Sequence, residues 1–237
     1  MVNNSTIAIM QPYVFPYIGY YQLANAVDTF VFYDDVNFVT RSWINRNRIL
    51  INGKEKLITF PCLRASQNKL INETQIDLTQ KEYDKIKQSI ELAYKKAPHF
   101  NSVNTLIGEV FNSTADNIST LAIHSVKIVF EYLGINKNWL VSSENFSDSK
   151  GLEKQERLIN MVTKNNSHVY INAIGGMELY SKDEFKKGNI ELYFLKPMMK
   201  NYKQLSRDFI PGLSIIDVLM FNSIENVKEM LNQYELL

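Results

Sequence analysis

Two adjacent carboxylates, Asp34 and Asp35, close the β-branched and aromatic run TFVFY over 29–33. So placed, a carboxylate could act as a general base, join a metal site or accept a ribose hydroxyl; alternatively, one of the two only closes a turn. No histidine stands near them in sequence, and no metal is assigned. Further on, Arg41, Arg46 and Arg48 flank Trp43, with Asn45 and Asn47 among them. Arginine offers a planar fork to phosphate or carboxylate, and tryptophan can stack on a base or a sugar. The competing reading is a solvated edge strand guarded by its charges, although such edges usually use lysine and this one has none. Gly175-Gly176, in YINAIGGMELY, could let a ligand approach the backbone and cradle an oxyanion on exposed N–H groups; a plain turn would look the same. Among the histidines, His124 sits in an apolar helix, whereas His99, after the helix stop in KKAPHF, is the proton-transfer candidate.

These residues need elements to hold them. TIAIM at 6–10 reads as a buried strand, the two prolines of 11–16 enforce a loop, and 19–27 reads as a helix leading into the strand 29–33. Strand, loop, helix and strand in about thirty residues make one βαβ unit. Ligands of open α/β sheets bind at the carboxyl ends of the strands, where both the proline loop and Asp34-Asp35 would lie. Asn52-Gly53 between 49–51 and 56–60 reads as a type I′ hairpin. A polar loop with a short strand at 74–78 leads to a helix over 79–96, for which Thr79 and Glu82 form a capping-box pattern and Tyr83, Ile86, Ile90, Ala93 and Tyr94 one face. Helices follow at 101–111 and 116–133, the latter closed by Gly134. A strand at 139–142, a helix at 150–164, strands at 169–173 and 190–195, and helices at 213–222 and 224–234 complete the chain. The expectation is one α/β domain over 1–237, with a Rossmann-like, mainly parallel sheet and a more helical second half.

Composition narrows the classes. An apolar fraction of 45% and an aromatic fraction of 12% support a sizeable core, and the net charge of +1 gives no global field for nucleic acid or an anionic membrane. The single cysteine, Cys62, forbids an internal disulfide and reads as a packed thiol. No signal-peptide pattern or run of about 18 apolar residues is present, so the expectation is a soluble cytoplasmic protein. Nucleophile-elbow, Walker, GxGxxG and HxxxH patterns are all missing. The residues by themselves reach an anion-binding, aromatic-rich site and stop short of a reaction.

The segments MQPYVFPYIGYYQL (10–23), FVFYDDV (30–36), SWINRNRI (42–49), SQNKLI (66–71), YINAIGG (170–176) and LSIIDVLMFN (213–222) resemble the WbqC-like family, bacterial proteins encoded among genes for O-antigen and other surface polysaccharides. The resemblance implies an enzyme of sugar modification that attaches an acyl or aminoacyl group to the amine of a nucleotide-linked amino sugar. The opening unit is also similar to the HxGH nucleotidyltransferases, with Tyr17-Ile18-Gly19-Tyr20 at the place of that signature. In that group the histidines stabilise phosphates and the glycine makes room for adenine; here both histidines are tyrosines and no KMSKS-like loop is present. This resemblance implies the HUP/nucleotidyltransferase-like fold and a nucleotide-side pocket rather than adenylation.

For acyl transfer, Asp35 or His99 would handle the amine proton, Gly175 and Gly176 the oxyanion, and Arg46 with Arg48 the diphosphate. Gln11, Tyr13, Tyr17, Gly19, Tyr20, Asp34, Arg41, Trp43, Asn45 and Asn172 complete the candidate substrate contacts. No cofactor is expected to be tightly bound, and the donor would be a thioester on an acyl carrier protein or coenzyme A. Two alternatives stay open. In a glycosyltransferase, Asp34-Asp35 would act as a DxD-like metal and nucleotide contact. The other is a sugar-nucleotide-binding protein without catalysis.

Overall fold

The computed structural model describes residues 5–77, 79–152 and 154–237, without the side chains of Gln80 and Tyr83. Leu78, the last residue of the expected short strand, and the Tyr83 side chain assigned to a helix face therefore lie outside the described residues.

Chain order is β1 (Thr6–Met10), α1 (Ile18–Asn25), β2 (Thr29–Phe32), β3 (Arg46–Ile51), β4 (Lys54–Thr59), α2 (Gln80–Tyr94), α3 (Phe100–Phe111), α4 (Ile118–Tyr132), β5 (Asn138–Val141) and α5 (Ser142–Asn145). Then come α6 (Lys154–Lys164), β6 (Val169–Ala173), α7 (Lys182–Lys187), β7 (Glu191–Pro197), α8 (Ile215–Phe221), α9 (Ile224–Leu231) and β8 (Tyr234–Leu236).

The central sheet has the order β5-β2-β1-β6-β7-β8, parallel except for β8. Its middle strands are buried on both faces, which is why β1 (TIAIM) and β2 (TFVF) are continuous apolar runs instead of alternating ones. From β1 the chain steps to β2 and then β5 on one side, and later places β6 and β7 on the other. The order thus reverses between β1 and β6, and this Rossmann-like switch point opens a crevice beyond the strands' carboxyl ends. One face is covered by a core that includes Tyr21, Phe30, Phe130 and Leu219; the opposite face packs Ile9, Val31, Leu158, Tyr170 and Phe185 together.

The hairpin β3–β4 stands apart as a two-stranded sheet, and Asn52 and Gly53 both take positive φ (52° and 73°), as a type I′ turn requires. Gly134, at φ 65°, closes α4 as expected. Four local expectations are corrected. The capping box at Thr79 and Glu82 does not form: the Glu82 N–H donates to the Thr79 backbone carbonyl at 2.9 Å, and the Glu82 carboxylate turns to Lys85 at 2.5 Å. The stretch 74–77 holds only isolated bridges, Cys62 with Ile76 and Gln75 with Asn117. The helix expected from 150 begins at Lys154, since Ser147–Ser149 forms a 3₁₀ turn and Gly151 takes φ 112°. The last helix ends at Leu231, and Tyr234–Leu236 pairs antiparallel with β7, covering an otherwise open edge. The helix α7 escaped the apolar periodicity because it buries one residue, Phe185.

Candidate functional site

The proline loop leaves β1 at Met10 and is fixed from several sides. Phe15 sits at φ 43°, a costly backbone conformation for a residue with a side chain. It is over-determined: its N–H donates to Ser125 Oγ at 2.9 Å, and its carbonyl accepts from Ser214 Oγ at 2.8 Å and from Asn47 Nδ2. Val14 N–H donates to the Ile44 carbonyl at 3.1 Å, and the Tyr20 hydroxyl to the Gln11 carbonyl at 3.0 Å. A loop tied to α4, β3 and α8 in this way presents its side chains at fixed positions.

Those side chains wall two adjoining clefts at the switch point. The first, of about 420 Å³, is lined by Met10, Tyr13, Pro16, Tyr17, Trp43, Asn47, Arg48, Ala173, Ile174, Gly175, Met199 and Gly212. The second, of about 360 Å³, is lined by Gln11, Tyr13, Tyr33, Leu158, Tyr170, Asn172, Gly175, Gly176, Leu179 and Tyr180 with Ile9, Met10 and Ala173. Met10, Tyr13, Ala173 and Gly175 border both, so the clefts are two lobes of one groove over the ends of β1 and β6. A larger depression, lined in part by Asp28, Lys137 and Asn138, lies at the amino ends of β2 and β5, is open to solvent, and lacks the converging side chains of a site.

Tyrosines dominate the groove's chemistry. Burial lifts Tyr13 to about 12, with Tyr17 adding to the shift, and burial also raises Tyr17, Tyr33 and Tyr180. Each is a neutral phenol at physiological pH, able to donate and accept. Gly175 stands between the lobes, and a Cβ there would meet nothing within 4 Å. A Cβ on Gly176 would stand 2.6 Å from Asn172 Nδ2, so that glycine makes room for Asn172, whose Oδ1 accepts the Ala173 N–H at 2.7 Å. The Arg48 guanidinium lies 5.5 Å from the centre of the Trp43 ring and is already engaged, Nη1 with Glu55 at 3.0 Å and Nη2 with the Gly212 carbonyl at 3.0 Å.

The groove therefore brings together Gln11, Tyr13, Tyr17, Trp43, Arg48, Asn172, Gly175 and Gly176. The other candidates lie elsewhere. Asp34 is buried, accepting from Ser143 N at 3.1 Å and Ser143 Oγ at 2.9 Å, and it anchors the start of α5. Asp35 is buried against Arg157 Nη2 at 2.5 Å, with Ser142 Oγ also at 2.5 Å, and lines neither lobe. His99 sits at the α2–α3 junction, its N–H on the Met220 carbonyl at 3.2 Å, and lines neither lobe. Gly19 meets a side chain of its own chain, since a Cβ would fall 2.4 Å from the Tyr17 ring. Tyr20 is buried on the Gln11 carbonyl, and Asn45 donates to the Phe60 carbonyl at 2.8 Å. Arg46 Nε donates to the Ser42 carbonyl at 3.1 Å, and Arg41 is an exposed turn residue at φ 60°. Cys62, lifted to about 12 by burial, is no nucleophile.

Three contributors escaped the sequence reading. Tyr33 and Tyr180 line the second lobe, and Arg157 Nη1 donates to the Tyr33 hydroxyl at 3.3 Å. Only the first carried a signal, as the residue after β2 in FVFYDDV. Arg157 on α6 meets Tyr33 across 124 positions of chain.

The chain is similar to an uncharacterized protein of Mycobacterium tuberculosis, Rv1507c, with 30% identity over 220 residues, covering 91% of this chain and 93% of that one. No solved structure matches it significantly. The description of a protein family, by contrast, fits nearly the full length, from the proline loop into α9. On that match, over residues 11–229, the chain belongs to the WbqC-like protein family.

Proposed function

We propose that this protein transfers an acyl or aminoacyl group to the amine of a nucleotide-linked amino sugar bound in the two-lobed groove. One observation carries the reading: the lobes meet at Gly175, at the point where the strand order reverses, with aromatic walls on both sides. The first lobe, with Trp43, Tyr17 and the Arg48-braced indole face, suits a nucleobase. The backbone around Gly175, open to close approach, suits the diphosphate at the strand ends. The phenols of the second lobe suit the sugar.

Among the described residues neither lobe is lined by Asp, Glu or His. Proton removal is therefore assigned to the reaction partners. The neutral fraction of the sugar amine attacks the donor carbonyl, a C–N bond forms, the C–S bond of a carrier-protein or coenzyme A thioester breaks, and the departing thiolate takes up the proton. The protein's part is orientation and stabilisation of the oxyanion by backbone N–H groups and phenols. Trp43 and Leu179, exposed to 45% and 71%, stand at the mouth, where a donor would arrive.

The test is calorimetry with UDP and UDP-N-acetylglucosamine on wild type and Gly175→Leu, followed by mass spectrometry of UDP-amino sugars incubated with acyl-carrier and coenzyme A thioesters. Binding that Gly175→Leu abolishes, with a mass gain equal to the acyl group, is the expected result. Binding unaffected by Gly175→Leu would move the ligand out of the groove. Nucleotide-sugar binding without turnover of any donor would leave a binding protein.

A further inference from the structure

The second lobe contains a phenol whose hydrogen-bonding role is fixed from behind. Arg157 is 5% exposed and its guanidinium is spoken for on three sides: Nε donates to Ser149 Oγ at 3.1 Å, Nη2 to Asp35 at 2.5 Å and Nη1 to the Tyr33 hydroxyl at 3.3 Å. The same guanidinium carbon lies 4.9 Å from the centre of the Tyr33 ring. Arginine has no acceptor, so the Tyr33 oxygen accepts in this contact and its own O–H proton must point elsewhere. Among the described residues no acceptor takes that proton, and Tyr33 lines the second lobe. A phenol that accepts from a cation is also a better donor, because the accepted bond polarises its O–H.

Charge decides what it donates to. Behind this wall one guanidinium faces two carboxylates, Asp35 directly and Asp34 beside it through Ser142, whose Oγ is 3.1 Å from Asp34 and 2.5 Å from Asp35. That surplus of negative charge opposes a phosphate, and an ammonium has no lone pair to accept the O–H. A neutral oxygen remains, a hydroxyl or an amide carbonyl.

We propose that Tyr33 is the specificity-determining donor of the second lobe, that it binds a neutral oxygen substituent of the sugar, and that Arg157 and Asp35 are positioning residues acting through it. This rests on the reading of the groove as a nucleotide-sugar site and assigns the sugar to one lobe.

Calorimetry with UDP and UDP-N-acetylglucosamine, and saturation-transfer NMR with free N-acetylglucosamine, test it on wild type and Tyr33→Phe, which keeps the ring beneath Arg157. Tyr33→Phe should bind UDP as wild type does and UDP-N-acetylglucosamine about 3- to 10-fold more weakly, the worth of one hydrogen bond, and should lose the free-sugar signal. Arg157→Lys should lower the ratio of the two affinities without changing that for UDP, which a merely structural role would not do. Equal effects of Tyr33→Phe on both UDP ligands, or none on either, would overturn the proposal while leaving the groove as the site. A free-sugar signal lost in Tyr33→Phe, with no UDP binding in wild type, would uphold Tyr33 and overturn the nucleotide reading. Wild type that binds none of the three probes would overturn both.

Discussion

Asp35 and Arg157 allow a test that separates holding the fold together from doing chemistry. Their side chains are 5% and 6% exposed, so solvent and salt screen the pair little. Replacing Arg157 by Met leaves the Asp35 carboxylate buried with Ser142 as its remaining donor, at a cost of about 3–5 kcal/mol. At ~2–4 °C per kcal/mol for a chain of this size, the melting temperature should fall by ~6–20 °C. Asp35→Asn keeps an acceptor oxygen for the guanidinium and should cost less. The double variant Asp35→Asn/Arg157→Met should be milder than the sum of its parts by about 0.5–3 kcal/mol, because each change removes the reason the other hurts. Urea denaturation of the four proteins at low and high salt measures all of this. Additive effects, or single variants with wild-type midpoints, would refute the buried pair. The same variants test Asp35 as a general base: an Asp35→Asn protein of native stability whose kcat drops ~10²–10⁴-fold would have lost a general base instead of a structural partner.

Gly19→Val should leave far-UV dichroism native but push the Tyr17 ring, 2.4 Å from the new Cβ, out of place in the first lobe; nucleotide affinity unchanged by calorimetry would show that Tyr17 is no part of the site. Gly176→Ala must displace Asn172 and should cost ~1–3 kcal/mol of stability, whereas Gly175→Ala enters open space and should cost far less; equal denaturation midpoints would contradict this packing. Arg48→Ala should weaken nucleotide binding by about 0.5–2 kcal/mol, the worth of the cation–π contact that braces Trp43, with partial rescue by lysine, and Arg46→Ala should do nothing, since Arg46 turns to Ser42; calorimetry that ranks Arg46 above Arg48 would move the ligand along β3 away from the first lobe. Burial raises the Asp217 carboxyl although Tyr94, Tyr202 and Gln204 donate to it. The unfolded chain therefore loses this proton first as pH rises above the ordinary carboxylate value, so wild type should lose stability from there up to the raised folded value. Asp217→Asn should remove that component of the slope, and melting curves with the same slope in both proteins would refute it.

The scaffold was legible in the sequence because its signals are local. Two prolines force the loop after β1, Asn52-Gly53 forces the hairpin, and the uninterrupted apolar runs of β1 and β2 announce strands buried on both faces. The turn at Gly175-Gly176 after β6 was legible for the same reason. What stayed hidden depends on contacts across the chain. Whether Asp35 faces a ligand or a guanidinium depends on Arg157, which its own helix pattern marks as one charged residue among several. At Gly19 the resemblance pointed to room for adenine, whereas the Tyr17 ring folds back over the glycine, which helix geometry alone does not announce. The final strand was hidden because Tyr234–Leu236 gains its conformation from the exposed edge of β7.

Among the described residues the two arginines of the groove are both paired with carboxylates, and this bears on how it can work. Arg157 is sealed by Asp35 behind the second lobe, Arg48 lines the first lobe but is held by Glu55 and the Gly212 carbonyl, and the rest of what faces the cavity is aromatic, apolar, amide and glycine backbone. Such a surface cannot pull a proton far, but it can fix geometry. The strained Phe15, held by hydrogen bonds from α4, β3 and α8, keeps Tyr13 and Tyr17 in register with Gly175 on the opposite lip. Holding two reactants at bonding distance can supply ~7–11 kcal/mol of a bimolecular barrier, more than the ~3–5 kcal/mol of a general base worth 10²–10⁴-fold. An amine is already a competent nucleophile in its neutral form and a thioester already an activated acyl group. For that pairing, alignment in a hydrogen-bonding groove is the larger share of what an enzyme must provide.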